Sequence, residues 1–269
     1  FGHFMMAFLV KLTAVPSGVG YNLAISLVPA LVAAGSFGLV YNLVRLSGGR
    51  RAAALGFGLV APFLIILIGN LEGALEFVHV QGWGGDGFWH WVGIKGLAGD
   101  ATGSSGFPDQ YMWWWRATRV IDTLADGQSL DYTITEFPMF SFLLGDLHAH
   151  VVSLPFLLLG LSLGLNLFMS PDKLGPGWLR RHPVESAAVA LFIGSLAFIN
   201  AWDLPLIAGV LGVLVLAKSY KDAGGDLQRA ALNAAAVLAP ILVMAVVLFL
   251  PFYRTLGGVG GPPPFPLPM

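Results

Sequence analysis

The sequence predicts an all-α integral membrane protein: about six transmembrane helices, an N-terminal partial or interfacial helix, and one long extracytoplasmic loop. Composition and two patterns predict it. Hydrophobic residues make up 56% of the chain and charged residues 11%, and the mean hydropathy is +0.76, outside the range of soluble globular chains. Apolar runs close to the roughly 20 residues that cross about 30 Å of hydrocarbon recur along the chain. Lys and Arg collect in alternate short loops. Lys+Arg at 14 nearly balance Asp+Glu at 15, so no basic field favours nucleic acid, and it is set aside as a partner. The absence of cysteine excludes disulfides, thiolate metal sites and thiol nucleophiles.

The opening FGHFMMAFLVKLT is short and carries Lys11, so residues 1–14 read as the end of a helix or an interfacial one, before VPSGVG turns the chain. Spans are expected at 21–45, 52–71, 147–169, 184–201, 204–217 and 230–250. The run at 204–217 is short, which suggests a tilted helix hairpinned to its predecessor across AWDLP. The start at Phe1 and the ending GGPPPFPLPM lead to the expectation that the chain is a piece of a longer protein.

Orientation follows from the basic residues. Arg45, Arg50 and Arg51 share one loop, Lys173, Arg180 and Arg181 the next on that side, and Lys218, Lys221 and Arg229 the third, so this side is assigned to the cytoplasm. The connection 72–146 then faces outward, and a multi-pass protein of the cell membrane with its site outside is expected. That segment holds ten of the fifteen acidic residues against three bases, which suits a non-cytoplasmic loop.

The loop carries six of the eight tryptophans, and these can form an aromatic belt at headgroup depth. WWWRATRVIDTLADG offers more. As a helix it places Arg116 and Arg119 on one face near Trp115 and Asp122, where either a phosphate lies between the two guanidiniums or Asp122 and Asp126 neutralise them. Asn70, Glu72 and Glu76 close the second span; they either complete a metal site or simply end the helix in water, the commoner outcome.

EFPMFSFLLGDLHAH puts Glu136, Asp146, His148 and His150 at the lip of an apolar helix. Asp146 can cap that helix, where the partial positive end favours a carboxylate, but His148 and His150 gain nothing there. If the helix has begun by Asp146, His150 shares its face; if the segment is still extended, Asp146 and His148 point the same way. Either arrangement converges an oxygen and an imidazole, a donor set suited to a divalent cation, Mn²⁺ or Mg²⁺ first and Zn²⁺ also fitting. Asp203 in NAWDLP is a second acid in apolar surroundings, with a helix-capping explanation of its own.

The stretches FGHFMMAFLVKLTAVPSGVGYNL, WWWRATRVI, TEFPMFSFLLGDLHAHVVSLPF and NAWDLP, in this order, resemble the "YYY" membrane-protein family, a domain of unknown function in large polytopic proteins. A YYYFGH stretch names that family, and this chain begins at FGH. The family is similar in layout to the GT-C glycosyltransferases, which use lipid-phosphate-linked sugars at the outer membrane face. The resemblance therefore implies a GT-C-like fold in which Asp146-Leu147-His148 is the metal-binding Asp-x-His motif and His150 a further ligand or its support. It implies transfer from a polyprenyl-phosphate sugar, with Arg116, Arg119 and Trp115 binding the donor and Glu136 and Asp203 as candidate catalytic carboxylates. In such enzymes the catalytic aspartate lies in the first outer loop, and the resemblance leads to the expectation that this loop is not part of the present chain.

Two other classes fit the same composition. One is a non-catalytic membrane subunit that docks on partner proteins through small residues in LVAAGSFG, AAALGFG and IAGVLG. The other is a transporter with helices broken at Pro29, Pro62 or Pro155. Membrane lipids are partners in every case.

Overall fold

The computed structural model describes residues 2–94, 97, 106–120, 124–125, 128–129 and 133–255. It is an all-α membrane protein. The chain runs through α1 (Gly2–Thr13), α2 (Ser17–Leu46), α3 (Arg51–Pro62), a π-helical turn (Phe63–Leu67), α4 (Glu72–Val80), α5 (Asp86–Val92) and a 3₁₀ helix (Trp113–Thr118). A two-residue pairing of β1 (Leu124–Ala125) with β2 (Gln128–Ser129) follows, then α6 (Pro138–Leu144), α7 (Ala149–Met169), α8 (Trp178–Arg181), α9 (Pro183–Ile199), α10 (Asp203–Asp222), α11 (Leu227–Leu248) and α12 (Leu250–Thr255).

Among the described residues four helices are long and apolar enough to cross a membrane: α2, α7, α10 and α11. A fifth results if Arg51–Leu67 and Glu72–Val80, bent by 74° at the break between them, count as one span. The expected 52–71 run thus stops at Leu67, where Ile68 turns extended (φ −89°, ψ 118°) after the π turn that follows Pro62. The expected 184–201 run is the 17-residue α9, started by Pro183 and stopped at Asn200. Conversely α10 extends past 217 to Asp222, because Lys218 and Asp222 pair at 2.6 Å one turn apart and Asp222 also accepts the Leu174 amide at 3.0 Å. Pro29 and Pro155 lie inside unbroken α2 and α7.

The chain divides into two compact units, residues 1–61 with 147–269, and residues 62–146. In the first, α7, α9, α10 and α11 pack together and α2 lies on α7. These helices are apolar all round, so composition does not choose the packed face; residue size does. The buried stripe of α2 is Ala24, Val28, Val32 and Ser36, and that of α11 is Ala230, Ala234, Val237, Ile241 and Ala245. Gly35 faces Leu158, Gly160 takes the Phe192 ring, and Gly194 takes Phe249. The outward faces keep large apolar residues in the open, Val213 at 67% exposed and Leu232 at 66%, as a surface facing hydrocarbon does.

A side chain at Gly194 would sit 2.9 Å from the Ala245 carbonyl oxygen as well as against the Phe249 ring. Gly194→Ala is therefore expected to cost about 2 kcal/mol by overpacking α9 against α11. At Gly209, with nothing within 4 Å, the same change should be neutral or stabilising by roughly 0.5 kcal/mol through helix propensity. Thermal unfolding of the two variants in one detergent separates them; equal midpoints would remove Gly194 from the packing account.

Candidate functional site

Within 62–146 the 3₁₀ helix Trp113–Thr118 is the hub. Asn70 donates its amide to the Ala117 carbonyl and accepts the Glu72 N–H at 3.2 Å, so the start of α4 is pinned to the hub. The Thr135 amide donates to the Thr118 carbonyl at 2.9 Å, holding the extended segment that carries Glu136. Phe140 on α6 closes over Trp114 and Trp115, with ring centroids 5.6 and 5.3 Å apart. Gly69 lies where any side chain would strike the Phe137 ring.

Glu72 and Glu76 do not end a helix in water. Each is 2% exposed, and His79 at 7% completes the same buried face, its ring edge-on to Trp89 at 4.8 Å. Arg116 meets Glu76 with its guanidinium fork, Nε to Oε1 at 2.5 Å and Nη2 to Oε2 at 3.0 Å, and donates through Nη1 to Gln110 Oε1 at 2.8 Å. The counter-charge of Arg116 is thus Glu76, forty residues away in sequence; Asp122 and Asp126, considered for that role, lie outside the described residues. Neither oxygen of Glu72 meets a donor among the described residues. On α4, outside the four helices that are each long and apolar enough to cross, burial pushes the Glu72 carboxyl up to about 8, the neighbouring Glu76 adds to the rise, and Arg116 opposes it. Glu72 is the neutral acid at pH 7, and its proton supplies the missing donor, with the Glu76 carboxylate as acceptor.

Arg119 is the residue that ends the 3₁₀ helix, so the regular α-helical face shared with Arg116 does not form. Its guanidinium lies 5.0 Å over the Trp115 ring and donates at 2.8 Å to both the carbonyl and the hydroxyl of Thr118.

At GDLHAH, Gly145 adopts φ 68° and closes α6, and the Asp146 amide reaches back to the Ser141 carbonyl at 2.9 Å, a Schellman ending that a residue with a Cβ would strain. α7 starts only at Ala149, with His148 at its cap in extended conformation (φ −63°, ψ 152°). Asp146 is two residues short of the capping position, which His148 occupies, so the helix has not begun by Asp146. Leu147, between the two, is 1% exposed, while His148 is open. His150 lies in the first turn of α7 with its ring 5.2 Å from that of His148. Asp203 is the first residue of α10 and its carboxylate accepts the Asn200 amide at 3.0 Å, which makes it part of the turn that joins α9 to α10.

Residues 1–261 match the family described as Uncharacterized membrane protein (DUF2298). The chain belongs to this family. Its members are membrane proteins of unknown function, in agreement with the motifs quoted above. No curated protein and no solved structure matches the chain.

Proposed function

We propose that this family member is a membrane glycosyltransferase of GT-C-like layout, transferring a sugar from a polyprenyl-phosphate donor at the outer membrane face with a divalent cation. The observation that supports it most is at GDLHAH: α7 starts only at Ala149, which leaves Asp146 and His148 ahead of the helix, with His148 extended at its cap, in the order of an Asp-x-His motif. The His148 and His150 rings are near enough for both to reach one ion, and a carboxylate with imidazoles is a donor set for Mn²⁺, Mg²⁺ or Zn²⁺. A bound cation would offset charge on the leaving phosphate. In the transfer, the bond from the sugar's anomeric carbon to phosphate oxygen breaks and one to an acceptor oxygen forms. Glu136 is the candidate to take the acceptor's proton. Arg119, fixed against Trp115 and Thr118, is the nearer candidate for the phosphate, since Arg116 is engaged with Glu76.

The test is metal content and sugar transfer by the full-length protein carrying Asp146→Asn, His148→Ala or His150→Ala. Asp146→Asn and His148→Ala should each lose bound metal and most of the transfer activity, with partial retention in His150→Ala. Metal and activity intact in Asp146→Asn would overturn the proposal.

A further inference from the structure

We propose that the groove between α2 and α7 binds one anionic phospholipid, with an acyl chain along Pro155–Leu159 and the phosphate at Arg45, Asn42 and Asn166. Two cavities line this helix pair and share Ser162. One, about 370 Å³, is walled by Leu31, Ala34, Gly35, Pro155, Leu158 and Leu159 and is almost wholly apolar. The other, about 240 Å³, continues towards the α2 C-terminus and brings in Asn42, Arg45 and Asn166. The groove therefore changes from greasy to cationic and amide-rich along one axis, as an acyl chain and its headgroup do.

Its length suits one leaflet. Leu31 to Leu46 on α2 corresponds to about 22 Å at 1.5 Å per residue. Half of a bilayer's hydrocarbon is about 15 Å, and the headgroup layer adds about 5–7 Å. Charge argues for an anionic lipid over a neutral one. Among the described residues no carboxylate pairs with Arg45, whose hydrogen bond goes to the Gly49 carbonyl at 2.9 Å, and Arg50 and Arg51 follow in the same loop. A loop rich in Arg faces the leaflet in which anionic lipids concentrate. The walls argue for a lipid over a soluble anion, since Leu31 and Leu159 are each 47% exposed at the depth of hydrocarbon. The larger cavity between α1 and α2, about 500 Å³, has no such anchor: its Thr13 and Ser26 hydroxyls are spent on carbonyls of their own helices.

The inference is independent of the glycosyltransferase reading and concerns the opposite end of α7 from His148. The protein is delipidated, reconstituted into nanodiscs of equal phosphatidylglycerol and phosphatidylcholine, and its co-purifying lipids are counted by native mass spectrometry. The wild type should retain one phosphatidylglycerol in preference to phosphatidylcholine. Arg45→Gln, an exposed site, should lower that preference roughly tenfold, the loss of a charge-assisted contact. Ala34→Phe, also exposed, fills the apolar half and should abolish retention of either lipid. Equal retention of both lipids by the wild type, no change in either variant, or displacement of the lipid by inorganic phosphate alone would each overturn the proposal.

Discussion

Arg116→Gln lowers the stability of the 62–146 unit by about 3 kcal/mol or more, because it strands a buried anion. Glu76 is 2% exposed and its two oxygens are held by the Arg116 fork; Glu72, equally buried, makes no ion pair of its own among the described residues and feels Arg116 only through space. Without Arg116 the cluster contains two acids and no positive charge, so Glu76 must either take up a proton or remain uncompensated. The single Glu76→Gln is expected to cost less, since Arg116 is 22% exposed and can turn to water. Replacing both residues by Gln should recover much of the loss, because two neutral amides need far less compensation than one buried charge. Thermal unfolding of the three variants in detergent forms the cycle. Additive losses would show that the pair is not coupled.

The wild type loses stability as pH rises from about 4.5 to about 8, and Glu72→Gln removes most of that slope. The sign follows from proton binding. Glu72 titrates near 8 when folded and near 4.5 when exposed, so between these values the folded protein holds a proton that the unfolded chain has released. Each pH unit in this window then disfavours folding by at most about 1.4 kcal/mol, and the slope vanishes above the folded value. Gln keeps the size and the hydrogen-bonding capacity but has no proton to lose. Melting temperatures across this window at constant ionic strength decide it: parallel profiles for wild type and Glu72→Gln would mean that Glu72 is not the group responsible.

The membrane class was legible from composition, and four of the six expected spans from apolar run length, because in a bilayer those two quantities determine which helices cross. Helix ends were less legible. The end of α10 depends on the Lys218–Asp222 pair, a contact that a hydropathy window counts against a helix. At GDLHAH the residues alone left two geometries open; Gly145 decides between them, since its left-handed conformation stops α6 and postpones α7 to Ala149. The acid cluster was missed because Glu72 and Glu76 read as the frayed polar end of a span. A signal was present: Glu72, Glu76 and His79 fall at i, i+4 and i+7, the spacing of a packed face, in the otherwise apolar helix EGALEFVHV. Their partner, Arg116, lies forty residues on in a 3₁₀ turn that no local pattern marks.

The π turn at Phe63–Leu67 carries a consequence for how this region tolerates change. Such a turn takes up one residue more than an α-helical turn, so the residues after it lag about 100° behind the azimuth they would have in an uninterrupted α-helix. The azimuth at which the chain reaches Asn70, and hence the direction in which Glu72 and Glu76 enter α4, is encoded by that surplus residue and not by the acids. A relative with identical acids but one residue fewer between Pro62 and Asn70 would present them to a different neighbour. Segment length here is as informative as residue identity.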